Sequence, residues 1–441
     1  MIRSSSKSVL SSRLVLLAVG TFVLGVDSFV LAGLLPAVAR DLHVSVAQAG
    51  QLTTTFAITY ALGSPLIATV TGRLDRRVVL GGGMVVFLLG MVAQALGPTY
   101  GVVLAGRIVA ALGAAAFQAN AYAVVGALAP PERRARSLAM VGAGSSLATV
   151  IGVPLGVLVG QQVGWRAALW MITGAAAVAA ALCLALPVVR LPPASLRERF
   201  RILSAPSMLL LLCGTAIQLI PQYAVISYIA PVLGARGQTA TPVLVALIVF
   251  GAAFFTGNRL VGRLADRWGG LRVITLGLSV SVLALVALWA VRLSIVPAII
   301  ALAVLGLVAS FQVTPQQTRI FAASGTAATV ALGLNGSMIY VGSGTGAALG
   351  GGVITWAGAG SVPLVAAAMA LAALAFLRAT APERALERAG ADGHAQHAGA
   401  QHVGAQHVGA QHVERTPDAN TERESHPATA KSRPVTAKEK S

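Results

Sequence analysis

Charge is what this chain has least of. Of its 441 residues only 10% are Asp, Glu, Lys or Arg, against roughly a quarter in ordinary soluble domains. That shortage excludes a water-facing globular domain over most of the length. Acids are scarcer still, 14 against 32 Lys and Arg. The two cysteines, Cys183 and Cys213, lie inside apolar runs, so they read as small core residues and no disulfide framework is implied. Equally missing are a phosphate-binding Gly-rich loop with its Lys, an HExxH pair, and a nucleophile with a supporting His and acid. The chain is therefore not expected to be an enzyme, and no cofactor or metal is implied.

What is present is apolar length. Hydrophobic residues make up 56% of the chain, and a membrane span needs about 20 of them in a row. Twelve such runs are predicted, near 14–35, 48–70, 79–97, 99–123, 137–160, 166–189, 206–233, 242–258, 273–291, 295–318, 326–350 and 361–379. Barrel strands would alternate polar and apolar over about ten residues, which these runs do not. The expected fold class is an all-α membrane protein of twelve transmembrane helices. The first run is too long for a cleaved signal peptide and is counted as a span.

The formal charge of +18 raises nucleic acid as a partner, but its placement excludes that. Up to residue 379 there are 24 Lys and Arg against 6 acids, and beyond it 8 against 8. With the N-terminus inside, all but four of the basic residues in flanks and loops fall on the cytoplasmic side, the outer four being Arg40, Arg166, Arg236 and Arg292. This is the positive-inside pattern of a multi-pass protein of the inner or plasma membrane, with both termini cytoplasmic.

Internal echoes divide the chain. "GRLDRR" at 72–77 returns as "GRLADRWGG" at 262–270, and "LLPAVARDLHVS" at 34–45 returns as "IAPVLGARGQTA" at 229–240. "GVPLG" at 152–156 faces "GSGTGAALGGG" at 342–352. The expected organisation is a cytoplasmic N-terminus (1–13), a six-helix bundle (14–189), a basic linker (190–205), a second six-helix bundle (206–379) and a disordered tail (380–441). Repeated halves are a transporter architecture, with the substrate site between them near the midplane. The tail repeats "GAQHV"; its His residues at 394, 397, 402, 407 and 412 lack Cys or acidic co-ligands, so low complexity is the plainer reading.

Inside the spans one acid stands out. Asp27, in "TFVLGVDSFVLAGLLPAV", is the only acid there, and Arg107 in the fourth span is the only comparable base. Each lies about 12 Å below the outer boundary at 1.5 Å per residue, so the two are expected at one level. Such a pair either pins two helices or, if the carboxylate moves between wet and dry surroundings, carries a proton. Gly72, Asp75 and Arg76 form a short turn in which Asp75 can accept from a helix N-terminus, and Gly262, Asp266 and Arg267 are their expected counterparts. In the fifth span Gly152, Pro154 and Gly156 allow close helix packing and a kink. Asn120, Tyr122, Gln222, Tyr223, Gln312, Gln316 and Asn335 are expected to line a cavity suited to an amphipathic organic molecule.

At these residues the chain resembles the major facilitator superfamily, and within it the twelve-span drug:proton antiporters. The likeness covers 14–379. "GRLDRR" is similar to the family's loop motif, one residue short before Asp75, and "GRLADRWGG" is closer to it. Arg107 matches the arginine of the fourth-span motif, Gly152, Pro154 and Gly156 match the antiporter motif, and Asp27 takes the place of a first-span acid. "FVLAGLLP", "GWR" and "LNGS" add a likeness to a branch of chloramphenicol-resistance exporters and sugar or nucleoside effluxers. The resemblance implies a monomeric exporter exchanging protons for a drug-like compound such as a phenicol, with small molecule, protons and lipid bilayer as its partners. A sugar or nucleoside effluxer is the alternative, and a sensor working through the tail a third.

Overall fold

The computed structural model describes residues 2–129, 134–189, 201–234, 240–291 and 294–380. Most of the linker and the His-bearing tail lie outside these residues. The described chain is helical throughout: α1 (Ile2–Asp41), α2 (Val46–Val70), α3 (Arg76–Leu96), α4 (Tyr100–Leu128), α5 (Arg134–Leu147), a π-helical turn (Ala148–Gly152), α6 (Val153–Gln162), α7 (Trp165–Cys183), α8 (Pro206–Ile226), α9 (Ile229–Gly234), α10 (Ala240–Trp268), α11 (Gly270–Ala290), α12 (Ile295–Ser324), α13 (Ala328–Ala357) and α14 (Val362–Ala379).

Each expected span coincides with helix, and ten helical stretches are long and apolar enough to cross a bilayer. The other two, α2 and α13, carry no formal charge but are threaded with Gln, Thr, Ser, Tyr and Gly. They also pack on each other. Between them they bury Thr54, Tyr60 and Ser64 of α2 and Asn335, Ser337 and Ser343 of α13, while Ile58, Leu62 and Leu66 of α2 stay exposed.

Local chemistry sets the boundaries. Ser45 and Gln48 form a reciprocal capping box that starts α2. Pro231 lacks the N–H that would reach the Ser227 carbonyl, and the expected seventh span accordingly breaks there into α8 and α9. The rod of the fifth span passes through a π turn directly before Pro154, at the start of α6, so the missing donor falls where the ladder is already re-registered. The eighth span runs ten residues past its expected end at 258, to Trp268, before Gly269 turns at φ 83°.

Helix pairing recurs between the halves. In the first, α1 packs on α5 and α6, α2 on α4, and α3 on α4 and α7; in the second, α8 packs on α13, α10 on α12, and α11 on α12 and α14. Glycine makes the corresponding seams. A Cβ at Gly152, Gly156 or Gly160 would fall 2.2, 2.7 and 2.7 Å from Val26, Val30 and Leu34 of α1. At Gly342, Gly346 and Gly350, each 190 residues on, it would fall 2.4, 2.5 and 2.7 Å from the carbonyl oxygens of Ala216, Ile220 and Ala224 of α8. Small residues at i, i+4 and i+8 let the backbones close to a distance no larger residue permits.

Candidate functional site

The seam with α5 and α6 fixes α1, and α1 carries Asp27. Its Oδ1 accepts a hydrogen bond from Arg107 Nη1 of α4 at 2.6 Å, and both side chains are fully buried. Arg107 Nη2 also reaches the Asp27 carbonyl at 3.4 Å. Asp27 Oδ2 and Arg107 Nε have no hydrogen-bond partner among the described residues. Two charges out of water cost several kcal/mol each unless paired and bonded; the bond from Arg107 offsets that cost at Oδ1 and leaves Oδ2 without such relief.

One aromatic ring covers the guanidinium, and others pack around that ring. Arg107 Cζ lies 4.4 Å from the centre of the Phe56 ring on α2, a cation–π distance. The Phe56 ring centre is 6.5 Å from that of Tyr60 and 6.2 Å from that of Tyr340 on α13. Tyr60 and Tyr340 stack at 3.7 Å with planes 25° apart, and Phe29 of α1 stacks on Tyr223 of α8 at 6.0 Å. Tyr340 in turn lies close enough to Tyr122, Tyr223 and Asp27 to interact with each. Four of the chain's six tyrosines therefore gather around Tyr340, which itself lies near the ion pair. Both halves supply them.

The turn after α2 is a clamp. Asp75 caps α3 through the Arg77 N–H at 3.0 Å, and the same Oδ1 accepts from the Val189 N–H at 3.0 Å beyond α7. Arg76 donates to the carbonyls of Thr71 (3.3 Å) and Gly72 (3.0 Å) and to Asn120 Oδ1 (3.0 Å). Its expected counterpart does not form. Gly262, Asp266 and Arg267 lie within α10, exposed, because the segment continues the helix instead of turning after the span.

The expected cavity lining divides. Asn120 is occupied by Arg76 and by its own donation to the Ala116 carbonyl at 2.7 Å. Gln316 donates to the Leu211 carbonyl (2.6 Å) and accepts from Arg319 (2.9 Å). Asn335 accepts from Thr215 at 2.6 Å, and Gln312 reaches Ser281 at 3.5 Å. All four are buried; Asn120, Gln316 and Asn335 tie helices together, as polar groups in an apolar bundle satisfy one another, while Gln312 Oε1 has no partner among the described residues. Tyr122, Gln222 and Tyr223 stay partly exposed, and Gln222 Oε1 has no partner among the described residues. Phe29, Phe56 and Tyr340 escaped sequence reasoning; the i, i+4 spacing of Phe56 and Tyr60 on one helix face was the signal that could have found the first ring.

At the end of the bundle where α1 meets α2, Tyr228 closes the gap between halves. Its fully buried ring sits where a Cβ on Gly50 would be 1.9 Å, and one on Gly351 2.5 Å, from its hydroxyl. At the C-terminus of α1, Asp41 holds Arg166 in an ion pair and accepts from Trp165 Nε1 at 3.1 Å, while Arg166 donates to the Gly97 carbonyl at 2.8 Å.

A family model described as Major Facilitator Superfamily matches residues 17–331 and 260–417. The chain belongs to the major facilitator superfamily. It is a multi-pass membrane transporter, and the family's members are not enzymes. It is 31% identical to the inner membrane transport protein YdhP of Escherichia coli K12 over 82% of this chain and 94% of that protein. It is 34% identical to a chloramphenicol resistance protein of Streptomyces lividans over 58% of this chain and 67% of that one. A D-xylose-proton symporter shares the fold at a TM-score of 0.69 with 15% identity, covering 83% of this chain and 96% of that one. A bacterial homologue of the human lysosomal transporter Spinster, inward-facing and occupied, does so at 0.68 with 18% identity, covering 85% and 97%.

Proposed function

We propose that this facilitator is a proton-driven exporter of drug-like organic compounds, phenicol antibiotics among them. The buried Asp27–Arg107 pair carries the reading. Its unpaired Oδ2 is the atom that takes a proton; protonation cancels the attraction to Arg107, and release restores it. A carboxylate beside a fixed guanidinium between α1 and α4 thus has two states that favour different packings of the bundle. The convergent rings supply flat apolar surface for an amphipathic molecule at the same level. The similarity to a chloramphenicol resistance protein supports the substrate class, and YdhP supports the inner membrane.

In this reading both termini are cytoplasmic, the end closed by Tyr228 faces outward, and the chain works as a monomer. Asp75 and Arg76 clamp the inner turn of the first half, and Gly152, Pro154 and Gly156 hold α6 against the proton-carrying helix.

Export of a sugar or nucleoside is the second reading. The unpartnered amide atoms of Gln218, Gln222 and Gln312 suit hydroxyl groups and favour it. Expression in an antibiotic-sensitive bacterium separates the two. Raised tolerance to chloramphenicol that an uncoupler abolishes is expected; tolerance that no antibiotic raises, or that survives the uncoupler, overturns the first reading.

A further inference from the structure

Two contacts run from the ion pair to the opposite half, and both end on Tyr340. Through α2, Arg107 lies 4.4 Å from the Phe56 ring, which packs 6.2 Å from Tyr340. Through α1, Ser28, the neighbour of Asp27, lies beside Tyr340. The Ser28 hydroxyl donates to the Leu24 carbonyl at 2.8 Å. Tyr340 also forms, with Tyr60, the close stack that joins α13 to α2.

We propose that Tyr340 is the positioning residue through which the second half of the bundle registers the charge state of Asp27. The proposal rests on the reading of Asp27 as the proton-binding group. Protonation adds one proton from water to the carboxylate and changes no other bond. Arg107 stays charged, because a guanidinium does not give up its proton, and it stays buried. Its bonds to Asp27 weaken to those with a neutral acid and the Asp27 carbonyl, so the face of Phe56 carries a larger share of what holds it. Phe56 cannot follow alone, since a close-packed interior has no slack and its ring bears on Tyr60 and Tyr340. Parting α2 from α13 requires the Tyr60–Tyr340 stack to separate, so a push on Phe56 and a changed neighbour for Ser28 act on the joint that must open.

The other groups near Asp27 leave this route distinct. Arg107 on α4 is the charged group that faces it, and the phenols are Tyr340 on α13 and, next to Tyr340, Tyr60 on α2, Tyr122 on α4 and Tyr223 on α8. Where α1 meets the α5–π–α6 rod and α10, the neighbours are Ser145, Ala148, Val157 and Leu247. None of those titrates.

Nitroxide labels report the facing without any substrate. In full-length protein with Cys183 and Cys213 replaced by Ser, they are placed at Arg73→Cys and Arg263→Cys, two exposed positions near the ends of α2 and α10, and the inter-label distance is followed from acidic to alkaline pH. The otherwise wild-type chain should show a pH-dependent shift, Asp27→Asn should hold the acid distance at every pH, and Tyr340→Phe should keep the shift. Tyr340→Leu should lose it while retaining a folded melting transition. Should Tyr340→Leu fail to fold, Phe56→Leu carries the test, with the same loss expected. A wild-type shift in Tyr340→Leu or Phe56→Leu overturns the role of Tyr340 and leaves that of Asp27 standing. A shift that survives Asp27→Asn, or none in the wild-type background, overturns the functional reading and this proposal with it.

Discussion

Removing one member of the Asp27–Arg107 pair should cost more than removing both. A guanidinium left at zero exposure without its carboxylate keeps its desolvation cost and loses the attraction that offset it, a loss of about 3–5 kcal/mol, whereas replacing both partners by apolar side chains is often neutral. Asp27→Ala should therefore lower the melting temperature of the purified protein well below that of Asp27→Leu/Arg107→Met; the reverse order would mean that the pair is solvated. Asp75→Ala should cost about 1 kcal/mol as a lost helix cap, and somewhat more because the Val189 N–H also loses its acceptor. At this scale the sequence spoke clearly where charge is rare. Asp27 and Arg107 were legible because an acid in an apolar span has few reasons to be there. Asn120 was not, because only the fold brings Arg76 to it and takes up its amide.

Along the elements, the decisive feature is the glycine seam. Gly346→Val should cost the folded state heavily, since a Cβ there meets the Ile220 carbonyl oxygen at 2.5 Å, and backbone cannot swing aside. Gly352→Val, where nothing lies within 4 Å, should melt close to wild type. Equal melting of the two would show that α8 and α13 are not in close contact. Apolar run length revealed every long helix, and the echo of "GVPLG" in "GSGTGAALGGG" marked the two segments that form matching seams. The second loop motif misled for a physical reason. Composition marks where lipid ends, but a helix continues as long as its residues favour it, so "GRLADRW" extends α10 beyond the expected turn.

Across the whole molecule, closure at one end rests on Tyr228, lodged between Gly50 of α2 and Gly351 of α13. Tyr228→Ala should open a path there. With the native cysteines replaced, Gln51→Cys should react with a membrane-impermeant maleimide in the Tyr228→Ala background and resist it when Tyr228 is present; equal reactivity would place the seal elsewhere. Truncation after residue 380 should leave drug tolerance unchanged, because the ion pair, the rings and the closure all lie before it. The most direct test of the central claim uses the purified protein in liposomes. A chloramphenicol gradient should drive protons the opposite way, read by a pH-sensitive dye, and Asp27→Asn should abolish that flux while still exchanging labelled drug across the membrane. Proton movement in Asp27→Asn equal to that of the wild type would contradict the account.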